Sequence, residues 1–315
     1  MLRVRHRLVA ACVLALVVVG AAGGAAPRWQ KAASLPLPRT EVAAALLGSE
    51  IAVVGGFTAD GRNAGRADAY APARDRWRRL PDLPVTVDHA MAASSGGRLY
   101  VVGGYGADRS PLRSAFVVAG RRWRSLPSMP EPRAAAAAAV VGSRLYIVGG
   151  VTSGGLARRA LALDLRRRRW LTLPGPTPRE HLGATAAAGR VYAVGGRTSG
   201  LDTNLRLFEV YDPARRRWRR LPPVPTPRGG TAAAASGRLI LSVGGEAPTG
   251  TIAAAYAFDL RARRWRRLPD LPTPRHGLGV VAFRGRVYAL AGGPRPGLHV
   301  SGANEYIDLR SSSRP

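Results

Sequence analysis

Cysteine is nearly absent. Cys12 is the only one in 315 residues, and it lies close to the N-terminus. From residue 27 onward the chain therefore has no disulfide and no thiolate metal centre, and its stability must come from packing and topology. Lysine is as scarce. Lys31 stands alone, so 47 of the 48 basic residues are arginine. Acidic residues number only 19, which leaves a formal net charge of +29. Such skew reflects coding composition as much as chemistry, yet a basic surface attracts polyanions over a Debye length. Nucleic acid is not the expected polyanion. Aromatics make up only 6% of the chain, and no helix-turn-helix, zinc finger or stacking platform is present. A phosphate-binding Gly-rich loop and a Gly-x-Ser-x-Gly elbow are missing too, which argues against nucleotide and serine-hydrolase chemistry.

Long apolar runs are confined to the start. Arg3, Arg5 and Arg7 precede the uncharged stretch Leu8–Val19, and residues 20–26 are small. This order reads as a secretory signal over residues 1–26, cleaved on export. An uncleaved anchor is the alternative, because Leu8–Ala26 is 19 uncharged residues, near the minimum span of a bilayer. Val9-Ala-Ala-Cys12 has the look of a lipid-attachment site, but it lies ahead of the apolar run instead of behind it. For an exported chain the relevant polyanions are cell-wall polymers, acidic polysaccharides and anionic lipid head groups.

What the chain has in plenty is repetition. A Gly-Gly doublet ends an apolar stretch six times: Gly55-Gly56, Gly103-Gly104, Gly149-Gly150, Gly195-Gly196, Gly244-Gly245 and Gly292-Gly293, at spacings of 46 to 49 residues. The six tryptophans keep step with it. Trp29, Trp77, Trp123, Trp170, Trp218 and Trp265 recur every 46 to 48 residues, each followed shortly by Leu-Pro. Two signals in one phase mark a repeated supersecondary unit. Within a period come an Ala-rich stretch, the strand ending in the doublet, a Tyr-Asp or Leu-Asp strand, an Arg-rich turn, and the Trp strand. That makes four strands joined by short polar turns. Local propensity alone favours helix over Ala134–Ala139, but the repeat places this stretch on a strand.

The Pro-Arg motif, the Tyr-containing strand ending in Gly-Gly, the Tyr-Asp and the Trp together resemble the kelch repeat, over Trp29 to Leu309. The resemblance implies an all-β, six-bladed β-propeller of four-stranded antiparallel blades, within an exported bacterial-type kelch protein. The order of the ends fits a closed ring. The chain begins on a Trp strand and ends on Glu305-Tyr-Ile-Asp-Leu309, so the strand around Trp29 is expected to complete the last blade. The domain reading is a signal or anchor over 1–26, one propeller over 27–309, and a disordered tail over 310–315. Strands are lettered a to d, from the axis outward. Strand a is expected at Val42–Leu46, Ala90–Ser94, Ala134–Val141, Gly183–Ala188, Thr231–Ala235 and Leu278–Phe283. Blades 5 and 6 carry one extra residue before the doublet, near Ser242 and Ala291, and this is read as a bulge.

Parity then sorts the connections. Strand direction alternates, so d–a and b–c connections emerge on one face. The c–d turns, with their arginine runs, emerge on the other. The d–a connections carry Pro-Arg in five blades, at Arg39, Arg133, Arg179, Arg228 and Arg275, with Val87 in blade 2. The next two positions differ from blade to blade: Thr40-Glu41, Asp88-His89, Ala134-Ala135, Glu180-His181, Gly229-Gly230 and His276-Gly277. A shared scaffold residue with variable neighbours is the pattern of an asymmetric site on a symmetric ring. The candidate ligand-binding set at the channel mouth is therefore Arg39, Glu41, Asp88, His89, Arg133, Arg179, Glu180, His181, Arg228, Arg275 and His276. An arginine ring there suits carboxylate, sulfate or phosphate, and the Glu and His residues can orient hydroxyls or move protons. The kelch resemblance implies another use for the arginines, tying the blades together through carbonyls and carboxylates.

Two functions follow as expectations. The first is a non-catalytic binding module, monomeric, taking a protein or a glycan or other anionic polymer on this face. It would meet membrane only through an uncleaved N-terminal segment. The second comes from resemblance to six-bladed kelch N-acetylneuraminate epimerases, which isomerise an acidic sugar with Arg and Glu. No cofactor, catalytic set or metal is assigned. A galactose-oxidase-like copper centre is excluded by the missing cysteine and by histidines without ligand spacing. Asp60, Asp108 and Asp202 lie in b–c connections with no ligand cluster around them.

Overall fold

The computed structural model describes residues 27–119 and 122–310. The signal reading of 1–26, Cys12, residues 311–315 of the tail and Arg121 lie outside the described residues. Within them the chain builds six four-stranded antiparallel sheets. Blade 1 runs Ala43–Leu47, Glu50–Val54, Ala67–Ala71, Arg76–Arg79, each strand pairing with the next. Blades 2 to 5 repeat this order. Blade 6 takes Gly279–Phe283, Arg286–Leu290 and Asn304–Asp308, and its outer strand is the N-terminal Trp29–Lys31. Trp29 pairs with Ile307, Gln30 with Tyr306 and Lys31 with Glu305. The expected ring closure is thus observed, and no blade is left with a missing strand.

Two rings of hydrogen bonds run around the toroid. On the outside, five of the six tryptophan indole N–H groups donate to the proline carbonyl of the preceding blade's Leu-Pro segment, for example Trp123 to Pro81 at 2.8 Å and Trp170 to Pro127 at 2.7 Å. At the closure Trp29 keeps the rule and Trp77 shifts its acceptor to Ala33. Trp29 reaches Pro269 at 2.9 Å, and Trp77 reaches Ala33, just beyond the N-terminal strand, at 2.7 Å. Each indole buries an apolar body between blades and satisfies its one donor.

The inner ring lies at the d–a turns. His89 N donates to Glu41 O, Ala135 N to His89 O, His181 N to Ala135 O, Gly230 N to His181 O and Gly277 N to Gly230 O, at 2.8–3.2 Å. Val42 N closes the circle on Gly277 O at 3.1 Å. The six residues Glu41, His89, Ala135, His181, Gly230 and Gly277 all have φ between 49° and 64°. This left-handed turn explains why strand a begins later than expected in most blades, at Ala43, Met91, Ala137, Ala232 and Gly279, with Gly183 as read. The turn consumes the first residues of each Ala-rich stretch. Inside the turns, the a strands pack side by side around the axis, where alanine side chains fit.

The bulges do not exist. In blade 5, Ala232–Ser236 and Leu239–Val243 pair residue for residue, and in blade 6 so do Gly279–Phe283 and Arg286–Leu290. In blade 6 the doublet itself is displaced. Ala291 has φ 57° and Gly292 φ 100°, matching Gly55 at 66° and Gly56 at 93°. Gly293 then bridges to His276 as Phe57 bridges to Thr40. The structural doublet is Ala291-Gly292, and the extra residue is absorbed by the loop. The close approach that fixes these glycines is plain at Gly56, where a Cβ would stand 2.4 Å from Thr40 O.

Candidate functional site

The five Pro-Arg arginines do not line the mouth. All are 0% exposed and bind within their own blades. Arg179 donates to Gly195 O at 2.6 Å and Thr177 O at 2.8 Å, and forms a buried pair with Glu209 of strand c. Arg39 does the same with Gly55 O at 3.0 Å and Asp68 at 2.7 Å, and Arg275 with Ala291 O at 2.7 Å and Glu305 at 2.6 Å. Arg133 uses Gly149 O at 2.9 Å and Glu131 of its own connection at 2.5 Å. Arg228 has no carboxylate. It reaches Ser242 O, Gly244 O and Thr226 O at 3.3–3.4 Å, and its guanidinium lies 5.1 Å from the Tyr256 ring centroid. Burial holds Arg39 and Arg228 down to about 10. The arginines are staples from the d–a turn to strands b and c, as the kelch resemblance implied, but within a blade rather than between blades.

The variable neighbours do converge. A cavity of about 650 Å³ opens at the mouth, lined by Glu41, His89, His181 and His276 on its floor and by Phe57, Tyr105, Arg109, Arg197, Glu246 and Leu298 around its wall. Below it the left-handed turns narrow the axis, and the channel continues as chambers of about 130 and 200 Å³ walled mainly by small residues. A second hollow of about 740 Å³ lies on the c–d face beside Arg238, Asp259 and Arg264. It is larger, but Arg238 is already paired with Asp259 at 2.9 Å.

The floor is a chain of carboxylates and imidazoles. His89 Nε2 lies 3.1 Å from Glu41 Oε2 and 2.9 Å from His181 Nε2, while its Nδ1 is bonded to Asp88. His276 Nδ1 meets Glu41 Oε1 at 2.9 Å, and its Nε2 faces two carbonyls, Arg295 O and Gly297 O, at 3.1 Å. Both His276 nitrogens face acceptors only, so it is held as imidazolium. Burial lowers its proton affinity, but Glu41 and Glu246 outweigh that and push it up. His89 is likewise raised: burial opposes the charge, and Glu41 and Asp88 restore it. His181 goes the other way. Burial dominates and it is lowered, leaving a neutral ring. For Glu41 burial favours the neutral acid, but three histidines hold it below the usual carboxylate range. Glu180 is also lowered; burial opposes this, but His181 and Arg197 prevail. Tyr105 is pushed up to about 12 by burial and by the carboxylates of Glu180 and Asp88.

Of the eleven candidate residues, Glu41, His89, His181 and His276 meet in one contact set. Asp88 and Glu180 stand behind two of the histidines, and the five arginines stay in the blades. Glu41, His89 and His181 also place three ligand atoms within 4.8 Å of one another. These residues are 48 and 92 positions apart, so no local ligand spacing announced them. The wall residues Phe57, Tyr105 and Arg197 open b–c loops that the sequence reading takes to frame the mouth (Phe57 to Arg66, Tyr105 to Arg113, Arg197 to Leu205, Pro294 to Asn304), but they and Glu246 were not among the eleven. A signal existed: each directly follows a doublet, and each bridges to the residue after the Pro-Arg position.

The sequence model of the family described as the KLHDC2/KLHL20/DRC7 Kelch-repeats domain matches residues 89–293, from the d–a turn of blade 2 to the doublet of blade 6. No curated protein matches the chain.

Proposed function

From the premise that the chain belongs to the kelch-repeat family, we propose that it is an exported interaction module that holds a segment of a partner protein in the mouth cavity. A kelch propeller is consistent with a protein-binding module. The observation that carries the placement is the composition of the cavity. Its outer wall is sticky and its floor is polar. Leu298 is 50% exposed, an unusual exposure for a large apolar side chain here. Arg109, 64% exposed, is stacked 5.1 Å from the Phe57 ring centroid and 5.8 Å from that of Tyr105. A partner segment with an apolar residue for Leu298 and an acidic group for Arg109 fits this wall. Stacked arginine and aromatic groups of this kind anchor interfaces. Export rests on the signal reading of residues 1–26. The arginine-ring basis for sugar-acid isomerisation is gone, since the arginines are stapled inside the blades.

The test is site-specific photo-crosslinking in the producing cells, with the probe at Leu298 on the mouth face or at Arg266 on the opposite face. A discrete protein adduct from position 298, absent from position 266 and lost in Phe57→Ala/Arg109→Ala, is expected. Equal adducts from both faces, or none from 298, would refute the placement. N-terminal sequencing of the exported chain checks the signal reading separately, with a start near Pro27 expected.

A further inference from the structure

We propose that Glu41, His89 and His181 form a binding site for one borderline divalent metal ion, of which zinc is the probe, on the propeller axis at the base of the mouth. A donor set of two imidazoles and one carboxylate suits first-row ions of this class. The inference goes beyond the partner reading and does not rest on it.

The geometry has three parts. First, the inward atoms are already close together. His89 Nε2 lies 2.9 Å from His181 Nε2 and 3.1 Å from Glu41 Oε2. With metal bonds of about 2.1 Å, neighbouring donors stand about 3.0 Å apart around an octahedron and about 3.4 Å around a tetrahedron. Small side-chain rotations complete the set.

Second, the outward atoms are held as metal-binding side chains are held. His89 Nδ1 is bonded to Asp88, which is itself fully buried. His181 Nδ1 faces Glu180 Oε1 at 3.3 Å, and Glu41 Oε1 accepts from His276 Nδ1 at 2.9 Å. The carboxylate of Asp88 behind His89 selects its Nδ1–H tautomer and aims the Nε2 lone pair at the ion, and Glu180 lies on the Nδ1 side of His181. The His89 ring is also wedged edge-on against Phe57 and Tyr105, at 6.0 and 5.5 Å between centroids.

Third, the two Nε2 atoms are turned toward each other at 2.9 Å instead of toward separate partners. Only one of them can carry a proton. His181 Nδ1 has no aligned hydrogen-bond partner, although it is buried. A cation between the Nε2 atoms takes both lone pairs and leaves both Nδ1–H groups to their carboxylates. Glu41, Asp88, Glu180 and Glu246 gather around this one point, with Arg197 paired to Glu180 and Glu246 at 3.3 and 2.8 Å and His276 on Glu41. The fourth side of the site opens into the 650 Å³ cavity, which leaves room for water or a donor from outside.

The turns offer clean variants. Blades 5 and 6 carry Gly230 and Gly277 at the position of His89 and His181, with φ 64° and 58°. His89→Gly and His181→Gly therefore suit the local backbone and are expected to fold. The experiment uses the untagged full chain. Metal content is read by elemental analysis after dialysis against zinc, and affinity by calorimetric titration with zinc. One equivalent per chain is expected. Each Gly variant, with circular dichroism like the parent's, is expected to lose binding at least ~100-fold, while His299→Ala binds as the parent. Asp88→Asn, which keeps the ligands but weakens the backing of His89, should bind about 10- to 100-fold more weakly. No zinc bound by the folded parent, or unchanged binding by both folded Gly variants, would overturn the site. A cobalt-loaded sample with no ligand-field absorption band distinct from the aquo ion would do so too.

Discussion

The arginine staples make the sharpest energetic contrast, because sibling blades solve the same problem differently. Consider Arg179→Met against Arg228→Met. Removing Arg179 strands Glu209, a carboxylate 5% exposed, in the interior. Breaking a buried pair from one side costs roughly 3–5 kcal/mol. Thr177 still donates to Glu209 through Oγ1 at 2.9 Å, which favours the lower end. Loss of the donors to Gly195 O and Ala193 O adds about 1 kcal/mol. The expected total is about 4 kcal/mol. Removing Arg228 strands no charge. It forfeits three long hydrogen bonds of 3.3–3.4 Å and a ring contact of about 1 kcal/mol, but it also frees the interior of an uncompensated cation whose NH2 has no partner. An orphaned buried donor costs about 1–3 kcal/mol, so the net change should be near 1 kcal/mol or less. At about 2 °C per kcal/mol for a domain of this size, the midpoints should fall by about 8 °C and about 2 °C. Thermal unfolding followed by circular dichroism, with urea titrations to compare slopes, measures both. A loss in Arg228→Met equal to or above that in Arg179→Met would refute this reading of the staples.

Other outcomes follow from the same geometry. Gly56→Ala should lose more than about 2 kcal/mol in urea unfolding, because φ is 93° and the new Cβ would stand 2.4 Å from Thr40 O and 2.8 Å from Val42 Cγ1. An unchanged midpoint would mean that the turn is free to move. Asp75 carries a lowered pKa, first because Ala33 N donates to it and then because Tyr70 does, so it ties the closing segment to blade 1. A depressed carboxyl contributes its stability above its ordinary value of 3.8 and loses it as pH falls through the folded value. The parent should therefore lose midpoint temperature below about pH 4, and Asp75→Asn should lose less over the same range. Equal slopes in the two proteins would remove Asp75 from the closure.

How much was legible in the sequence depended on whether a residue type reports its own backbone. Glycine at φ above zero does, so the doublets gave the period, and Gly230 and Gly277 mark the left-handed turn in blades 5 and 6. The same turn is hidden at Glu41, His89, Ala135 and His181, whose residue types do not advertise it. That is why strand a was placed too early. The blade 6 doublet misled for the same reason: Ala291 does a glycine's work, and Gly293 only looks like a member of the pair. The fate of the arginines needed sheet register. Arg39 meets Asp68, Arg179 meets Glu209 and Arg275 meets Glu305, partners 29 or 30 residues away on strand c. In blade 2, Val87 replaces the arginine and Phe116 stands at the strand c position, opposite Val101 as Asp68 stands opposite Val53. That co-occurrence within one chain was available, but it says nothing until the strands are aligned. The mouth cluster was half legible. Its members were named from their shared position in the repeat, while their mutual contact arises only when the ring is closed.

That closure supports everything placed at the mouth, and the lack of cysteine beyond Cys12 makes it directly measurable. Gln30 and Tyr306 are cross-strand partners on one face, with Tyr306 Oη 2.7 Å from Gln30 Oε1. In Gln30→Cys/Tyr306→Cys the two thiols sit at the separation a disulfide spans. Mild oxidation should convert the folded monomer quantitatively to a single intramolecular disulfide, read by mass and by faster migration on a non-reducing gel. Free thiols persisting in the folded protein, or only intermolecular dimers, would contradict a ring whose first and last strands share a blade.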